Sequence, residues 1–337
     1  MIRYKCTVAY DGSKYCGWQT QNHGDSVQEQ IESALARIFD HPVRILAAGR
    51  TDSGVNAWGQ VFQFDEEKDI RERKLMGAVN GFLPGDIRIR RVEQKDSLFH
   101  VRYCVRSKQY DYRINFGEYD VFSRNHAYQC PYSVNIEAMK QGASYLVGTH
   151  DFTSFNSNSL RETPDQVRTI ESITFHEEGS MLRISYRGRG FLRYMVRMMT
   201  AALLEVGRGR MEPEQIKDML EARSKTVRRR NAHPEGLTLE AIDYFEILAL
   251  TSTKTVRDVL PEDNAQLYGR EDVRYVYADR HTGQLYGIYR YDETGGILEL
   301  FFERPKEELE EICTQLARRQ IKNGASDRIK VAEPAKC

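Results

Sequence analysis

The chain has 337 residues, of which 40% are apolar and 29% charged, and its basic and acidic side chains balance to a formal net charge of zero. This composition is that of a globular protein large enough for two domains, and it carries no overall nucleic-acid signature. A transmembrane helix is excluded because no run of about 18 apolar residues occurs. The strand-like start argues against a signal peptide. The six cysteines lack paired spacing, so we expect no zinc site or disulfide framework and a reduced, cytoplasmic location.

The first 105 residues alternate strand and helix patterns. Ser26 and Glu29 form a capping box ahead of an apolar helical face that ends at His41. Apolar runs over 43–48 and 58–64 predict strands on either side of a short loop. Further strands are predicted over 2–10, 87–92 and 98–105, with a weaker helix over 69–82.

A second unit is predicted over residues 106–245. Asn135 is placed to cap a helix over 136–147, and Pro213 opens another in the favoured first turn. A strongly apolar helix is predicted over 191–206, and strands are predicted over 110–116, 167–176, 181–187 and 237–247. Alternating strands combined with two helices in each unit predict an α+β fold with mainly antiparallel sheets.

Residues 246–337 differ in character from the rest. Three short strands are predicted over 273–277, 284–291 and 296–303, followed by a charged helix over 306–322. The region holds 14 lysines and arginines against 17 aspartates and glutamates, a net charge of −3. We therefore predict a small accessory α+β module, and its negative charge argues against a direct phosphate-binding role.

The loop over 49–54 carries the strongest chemical signal. Asp52 follows a buried strand end, where a rigid sheet presents side chains of a loop to a cleft. Burial would raise the pKa of this carboxyl, whereas Arg50, two residues earlier, is close enough to pair with it and to lower that pKa. An ionised, oriented carboxylate suits a nucleophile or a general base. The same residue types also suit a plain β-turn.

Three other segments carry side chains suited to RNA. Tyr110 and Tyr112 share one face of a strand, either as core residues or as a platform for a nucleobase. Arg193 and Arg197 stand one predicted helical turn apart, either as an anion site or as solvated arginines. The basic run 223–230 is either a solvated face or a phosphate contact. The sequence shows no metal-ligand spacing and no phosphate-binding glycine loop, so we expect no cofactor.

Together these motifs resemble the TruA-type tRNA pseudouridine synthases. The matching stretches follow the order of that family over residues 1 to about 245, which makes chance a poor explanation. They are Tyr10-Asp11-Gly12-Ser13, Gly17-Trp18-Gln19, Ser26-Val27-Gln28, Ala48-Gly49-Arg50-Thr51-Asp52-Ser53-Gly54-Val55, Leu83-Pro84-Gly85-Asp86-Ile87, Phe99-His100-Val101-Arg102, Asp151-Phe152-Thr153-Ser154-Phe155, Met195-Val196-Arg197, Leu204-Glu205-Val206-Gly207 and Gly236-Leu237.

The resemblance implies an isomerase that breaks the N-glycosidic bond of a uridine in the tRNA anticodon stem-loop (tRNA positions 38–40) and rejoins the base through carbon. It implies that Asp52 is the nucleophile, that Arg50 orients it, and that Tyr110 stacks on the target base and assists proton removal. Substrate contacts are expected from Arg197, Leu237, Arg189, Arg193 and Lys14. A uridine in a stem would have to be flipped into the pocket.

The resemblance also implies an architecture. Two similar α/β subdomains, residues 1–105 and 106–245, would share a continuous sheet around a central basic cleft, and the enzyme would act as a homodimer without a membrane anchor. Asn56 stands where the family usually has histidine, and Asp111 where a basic residue is common. We expect both to flank the RNA path and to affect substrate choice. Residues 156–164 lack the family pattern, and residues 246–337 have no counterpart in the compact bacterial enzymes.

Two alternatives stay open. The same chemistry could act on another structured RNA, such as ribosomal RNA, with the accessory module contributing selectivity. A chain that keeps the scaffold without catalysis would instead be an RNA-binding or folding factor. The joint presence of Asp52, Arg50 and Tyr110 counts against this second alternative.

Overall fold

The computed structural model describes residues 1–21, 24–95, 99–102, 104–161, 163–227 and 230–244, together with the backbone of four strands over 246–249, 273–278, 285–291 and 297–301. Contacts divide the chain into two compact units, Met1–Asp243 and Tyr244–Cys337. The described residues combine helices with mostly antiparallel sheets, which confirms the predicted α+β class. Within these ranges, every helix is too short or too polar to cross a membrane.

The first unit is organised on a ten-stranded sheet. Its strands are β1 (Ile2–Tyr10), β2 (Leu46–Ala47), β3 (Asn56–Glu66), β4 (Ile87–Lys95), β5 (Val105–Asn115), β6 (Tyr128–Gln129), β7 (Gly148–Asp151), β8 (Val167–Glu178), β9 (Met181–Gly188) and β10 (Leu237–Tyr244). Their order is β4-β1-β3-β10-β5-β9-β8-β7, with β2 beside β3 and β6 beside β5. The last strand of the first unit, β10, therefore lies between β3 and β5 and pairs with β3 in parallel.

The helices follow the apolar periodicity of the sequence. They are α1 (Val27–Phe39), α2 (Glu72–Phe82), α3 (Ile136–Ser144), α4 (Met195–Gly207) and α5 (Glu214–Ala222). The predicted caps are confirmed: the Ser26 hydroxyl accepts the Glu29 amide at 3.2 Å, and the Asn135 side chain accepts the Ala138 amide at 3.0 Å. Caps of this kind contribute about 1 kcal/mol each to helix stability.

The predicted helix over 191–206 begins too early. In the structure α4 starts at Met195, because Tyr194 ahead of it has φ of 61°, in the left-handed region. A residue with this backbone conformation cannot continue a right-handed helix toward the N-terminus. Arg193 therefore lies in a turn before the helix, and the predicted spacing of one helical turn between Arg193 and Arg197 is wrong.

The predicted strand over 98–105 is also wrong. Residues 99–102 are irregular, and β5 begins at Val105. The backbone of this segment bonds to side chains instead of to a neighbouring strand. Arg3 Nη1 donates to the Phe99 carbonyl at 2.6 Å, and the Val101 amide donates to Gln63 Oε1 at 2.6 Å. These bonds satisfy the backbone without a strand ladder.

The core of the first unit joins one face of the sheet to the helices. Alternate residues of β1 (Tyr4, Cys6, Val8 and Tyr10) belong to one buried cluster that also contains the apolar faces of the helices. The other face carries ion pairs, such as that between Arg113 and Glu240 at 3.1 Å. The two faces of each strand thus differ in chemistry, as the alternation of the sequence predicts.

In the second unit, the described strands form a four-stranded antiparallel sheet. They are β11 (Glu246–Ala249), β12 (Val273–Ala278), β13 (Leu285–Tyr291) and β14 (Ile297–Phe301), in that order across the sheet. The last three correspond to the strands predicted from the sequence. The charged helix predicted over 306–322 lies outside the described residues.

Candidate active site

A cleft of about 900 Å³ opens in the first unit, beside the central strands of the sheet. Its walls come from the loop between β2 and β3, from β5, and from the segment around the start of α4. Leu237, the first residue of β10, adds a buried apolar side chain. Three segments that are distant in sequence therefore meet here because β10 and β5 are neighbours in the sheet.

The loop that enters the cleft is held by side-chain hydrogen bonds to three consecutive backbone carbonyls. The three successive carbonyls of residues 47–49 accept hydrogen bonds from Arg102 Nε at 2.9 Å, Lys108 Nζ at 3.0 Å and Gln60 Nε2 at 3.0 Å. These donors come from the segment before β5, from β5 itself and from β3. The approach to Asp52 is thus fixed by side chains of the sheet rather than by the loop alone.

Thr51 anchors the loop in the core. Its hydroxyl and that of Tyr10 are 2.8 Å apart, and its carbonyl accepts the Trp18 amide at 3.1 Å. Gly17 permits this approach: it has φ of +110°, and a Cβ there would lie 2.6 Å from the Thr51 carbonyl oxygen. The predicted turn is also present, since the Val55 amide donates to the Asp52 carbonyl at 3.1 Å. A turn and a functional carboxylate therefore coexist at this position.

The Asp52 carboxylate pairs with Arg197 and not with Arg50. Arg197 Nη1 lies 3.6 Å from Asp52 Oδ2, and only 12% and 20% of the two side chains are exposed. Arg50 is exposed, and it contributes neither an ion pair nor a charge effect on Asp52. The predicted Arg50–Asp52 pairing is therefore wrong. Thr51, anchored in the core between them, separates the two neighbours, so closeness in sequence does not bring their charges together.

Burial decides the protonation of Asp52. Desolvation raises the pKa of this carboxyl above its ordinary value, and the positive charges of Arg197 and Arg193 only partly oppose the rise. Arg193 thus reaches Asp52 electrostatically even though it lies outside the helix. Together the two arginines favour an ionised carboxylate in a place where burial disfavours it.

Tyr110 is buried in β5 and faces the same cleft. Its ring meets Phe191 edge-on, with the ring centroids 5.2 Å apart. Burial, with smaller effects from Tyr10 and Asp52, raises the pKa of Tyr110 far above its ordinary value. The hydroxyl is therefore protonated at neutral pH, so it can donate a hydrogen bond but is a poor base in the resting site.

Two predicted substrate contacts lie elsewhere. Lys14 is exposed and pairs with Asp86 at 3.5 Å, and it does not line the cleft. Arg189 is exposed at the end of the β9 segment and is also absent from the cleft wall. The structure therefore brings together Asp52, Tyr110, Arg193, Arg197 and Leu237, with Arg50 at the same cleft.

Asn56 and Asp111 lie outside this cleft, and their expected position beside the RNA path stays a prediction. Asn56 is 3% exposed, accepts the Gly12 amide at 2.8 Å and donates to the Asn125 carbonyl at 2.7 Å. Asp111 is 1% exposed and follows Tyr110 in β5, so strand alternation places it on the opposite face of the sheet. Both residues have structural contacts, and neither lines the cleft.

Other residues that line the cleft were missed from the sequence: Arg102, Lys108, Asn158, Arg168 and Phe191. Lys108 had a usable signal, because it lies two residues before Tyr110 on the same strand and must share its face. Arg102, Asn158 and Phe191 come from irregular segments, where spacing gives no direction, and Arg168 lies at the start of β8. In particular, Asn158 Oδ1 accepts the Arg193 amide at 2.8 Å and thereby holds the turn before α4.

Comparison with known proteins identifies the family of this chain. A family model described as tRNA pseudouridine synthase matches residues 7–104 and 143–244. A tRNA pseudouridine synthase A of Exiguobacterium sp. is 42% identical over 247 residues, which cover 73% of this chain and 100% of that protein. Proteins of the same name from Oceanobacillus iheyensis and Anoxybacillus flavithermus are 41% and 42% identical, over 73% and 72% of this chain and 98% and 99% of their own lengths. The resemblance seen in the sequence is confirmed, and the chain belongs to the tRNA pseudouridine synthase family, a family of isomerases.

Proposed function

We propose that this isomerase converts uridine to pseudouridine in the anticodon stem-loop of tRNA, with Asp52 as the nucleophile. The observation that carries the proposal is the Asp52 carboxylate itself, largely buried in the cleft, paired with Arg197 and close to Tyr110. A carboxyl in a cleft, with a pKa raised by burial and a specific arginine partner, is a candidate for a functional site. The family match and the names of the relatives support the reaction and the class of RNA.

In this proposal, Asp52 attacks either C1′ of the ribose or C6 of uracil. On either route the N1–C1′ bond breaks, the base turns, and C5 forms the new bond to C1′. On the C1′ route the bond from Asp52 to C1′ breaks as the C5–C1′ bond forms, and on the C6 route the bond from Asp52 to C6 breaks afterwards. C5 loses its proton and N1 gains one, so the Asp52 carboxylate is regenerated. Arg197 keeps the attacking oxygen ionised and oriented, and Arg193 adds positive charge.

Tyr110 and Leu237 are proposed to hold the base. The ring of Tyr110 offers a stacking face, and its protonated hydroxyl can donate to a uracil oxygen. It can pass on the C5 proton only by releasing its own, so we assign it as a relay rather than as the first acceptor. Leu237 closes the apolar side of the pocket.

The size and charge of the cleft suit a flipped nucleotide. Its volume of about 900 Å³ is at the upper end of the range of about 300–1,000 Å³ for ligand pockets. A uridine in a stem must leave the stack to expose its glycosidic bond. The basic side chains on the cleft wall are suited to the phosphates around it; they are Arg50, Arg102, Lys108, Arg168, Arg193 and Arg197.

We further propose, from the resemblance, that residues 1–105 and 106–245 act as two subdomains and that the enzyme is a cytoplasmic homodimer. Exposed large apolar side chains fit an interface of this kind: Trp58 is 53% exposed, Tyr119 67% and Phe122 90%. Light scattering coupled to gel filtration measures the mass directly. A monomer at micromolar concentration would contradict the dimer.

The experiment that tests the function is pseudouridine mapping on total RNA from cells that lack this protein. These cells are complemented with the wild type or with Asp52→Ala. We expect marks in the anticodon stem-loop to disappear and to return only with the wild type. Loss of a ribosomal RNA mark instead would establish the alternative substrate. Restoration by Asp52→Ala would contradict the role of the nucleophile and favour a non-catalytic role.

A further inference from the structure

We propose that Lys108 forms an anion subsite in the cleft and binds a phosphodiester of the RNA next to the target uridine. The inference rests on the proposed function, since it takes the cleft as the place where the flipped nucleotide binds. It adds a binding residue that the motifs of the sequence did not predict.

The position of Lys108 relative to Tyr110 carries the first part of the argument. Both residues belong to β5, both line the cleft, and they are separated by Gln109. Residues two apart on a strand share one face and lie roughly 6.6 Å apart along it. This distance is comparable to that from a nucleobase to the phosphate of the same nucleotide. If the uracil stacks on Tyr110, a neighbouring phosphate comes within reach of Lys108.

The charge of Lys108 carries the second part. Its Nζ donates to the Ala48 carbonyl at 3.0 Å, and an ammonium has three hydrogens to donate. In the described part of the chain, no carboxylate lies within 4 Å of this nitrogen. Burial, and the positive charge of Arg102, lower the pKa of Lys108 to about 8. Lys108 is partly buried. An ammonium withdrawn from water without a counter-ion is unfavourable, and a phosphate bound here would supply the missing negative charge.

The contact with Ala48 links this subsite to the catalytic loop. Ala48 precedes the Gly49–Gly54 loop that presents Asp52, so a ligand on Lys108 would bind the side chain that holds the base of that loop. Gly49 makes room for the contact, because a Cβ at this position would lie 3.0 Å from Lys108 Nζ. A bound phosphate would therefore hold Lys108 in place, and Lys108 in turn holds the start of the Asp52 loop.

A phosphodiester fits this subsite better than free phosphate. A phosphodiester carries one negative charge, which matches one ammonium, and it arrives attached to a base that Tyr110 can stack on. Free phosphate lacks the base that would stack on Tyr110. The two sources are separable, because only a phosphodiester can be neutralised at a chosen position of the RNA.

The test uses the full-length protein with Lys108→Met and Lys108→Arg, and measures the Kd for an anticodon stem-loop RNA at several salt concentrations. The surface lysine Lys217, which pairs with Glu221 on α5, provides the control Lys217→Met. We expect Lys108→Met to weaken binding about tenfold or more and to lower the salt slope by about 0.7–0.9. Lys108→Arg should restore most of the affinity, and Lys217→Met should change neither value. Unchanged affinity and slope in a folded Lys108→Met protein would overturn the proposal.

A second measurement identifies the anion. Two RNAs are made, each with one neutral methylphosphonate at one of the two linkages that flank the target uridine, and the Kd of each is measured. At one of the two linkages, the methylphosphonate RNA should bind the wild type about tenfold more weakly than normal RNA does. Lys108→Met should bind the methylphosphonate RNA and normal RNA equally well, because the two changes remove the same contact. Equal losses for both proteins at both linkages, with thermal stabilisation of only the wild type by inorganic phosphate, would assign the subsite to free phosphate and overturn the proposal.

Asp52→Asn, assayed in parallel, separates this inference from the proposed function. If Asp52→Asn is inactive while Lys108→Met binds and reacts as the wild type does, only the anion subsite is wrong. If Asp52→Asn is fully active, the proposed function of the cleft is wrong, whatever the result for Lys108→Met.

Discussion

The Arg197 guanidinium lies 3.6 Å from the Asp52 carboxylate, Nη1 to Oδ2, and it is itself held by a hydrogen bond from Nε to the Ala232 carbonyl at 2.8 Å. Burial nevertheless raises the pKa of Asp52. The site thus keeps an anion where desolvation disfavours it, and the arginine limits the cost. This balance between burial and positive charge can be tested by varying the pH and by replacing each arginine.

The pH dependence of catalysis should show the raised pKa of Asp52. The nucleophile is needed in its ionised form, which is lost as pH falls through its pKa. Because burial raises that pKa, the single-turnover rate should begin to fall at a higher pH than the ordinary aspartate value of about 3.9 allows. Rates measured from about pH 3 to about pH 8, with circular dichroism to confirm folding, test this. An inflection at or below about 3.9 would contradict it.

Removing the partner should shift this profile further. Arg197→Met deletes the charge closest to Asp52, so the pKa of the carboxyl should rise. At pH values below that pKa the rate should fall by about tenfold for each unit of the rise, because the ionised fraction falls by the same factor. Arg193→Met should have a smaller effect, because Arg193 acts on Asp52 only through its charge. Full pH profiles of both variants make the comparison. An unshifted profile for Arg197→Met would show that the pair does not control the ionisation of Asp52.

Two glycine substitutions should have opposite effects on stability. A Cβ on Gly12 would lie 2.1 Å from the Val55 carbonyl oxygen, so Gly12→Ala must displace the backbone that follows Asp52. We expect both a lower free energy of unfolding and a large loss of rate. Gly77 in α2 has nothing within 4 Å of its would-be Cβ, so Gly77→Ala should stabilise the protein by about 0.5–1 kcal/mol. Urea unfolding and single-turnover rates measure both, and a fully active Gly12→Ala would argue against a fixed loop.

Asp111 should not affect RNA binding. It lies on the face of β5 opposite Tyr110, where Oδ1 accepts from Gln109 at 3.0 Å and Oδ2 lies 3.6 Å from Arg113 Nη2. Neutralising it with Asp111→Asn should leave the Kd for RNA unchanged within about twofold, because the charge is buried away from the cleft. A clear gain in affinity for a folded variant would support the expectation that Asp111 repels phosphate.

The helices and strands could be predicted from the sequence where interactions between residues close in sequence determine them. Caps such as Ser26 and Asn135 act within a few residues, and alternation identifies most strands, so these predictions are confirmed. The start of α4 could not be predicted, because the left-handed Tyr194 interrupts an apolar pattern that continues through it. Segment 99–102 was mistaken for a strand because its backbone partners, Arg3 and Gln63, are distant in sequence.

In the candidate site, too, one part could be predicted from the sequence and another part could not. The position of Asp52 after a buried strand pointed to chemistry, but its partner could not be found from spacing. Arg197 reaches Asp52 only because the folded chain places the start of α4 beside the loop. Contacts of this kind depend on the packing of whole elements, whereas the shared strand face of Lys108 and Tyr110 was open to prediction.

The central claim is that Asp52 is the nucleophile. The most direct test is the single-turnover conversion of uridine to pseudouridine in an anticodon stem-loop RNA by purified wild type and Asp52→Asn, with the Kd for the RNA measured for both. We predict that Asp52→Asn binds the RNA within a few-fold of the wild type and reacts about 10⁴-fold more slowly or worse. Pseudouridine formation by Asp52→Asn at a rate near that of the wild type would contradict the claim.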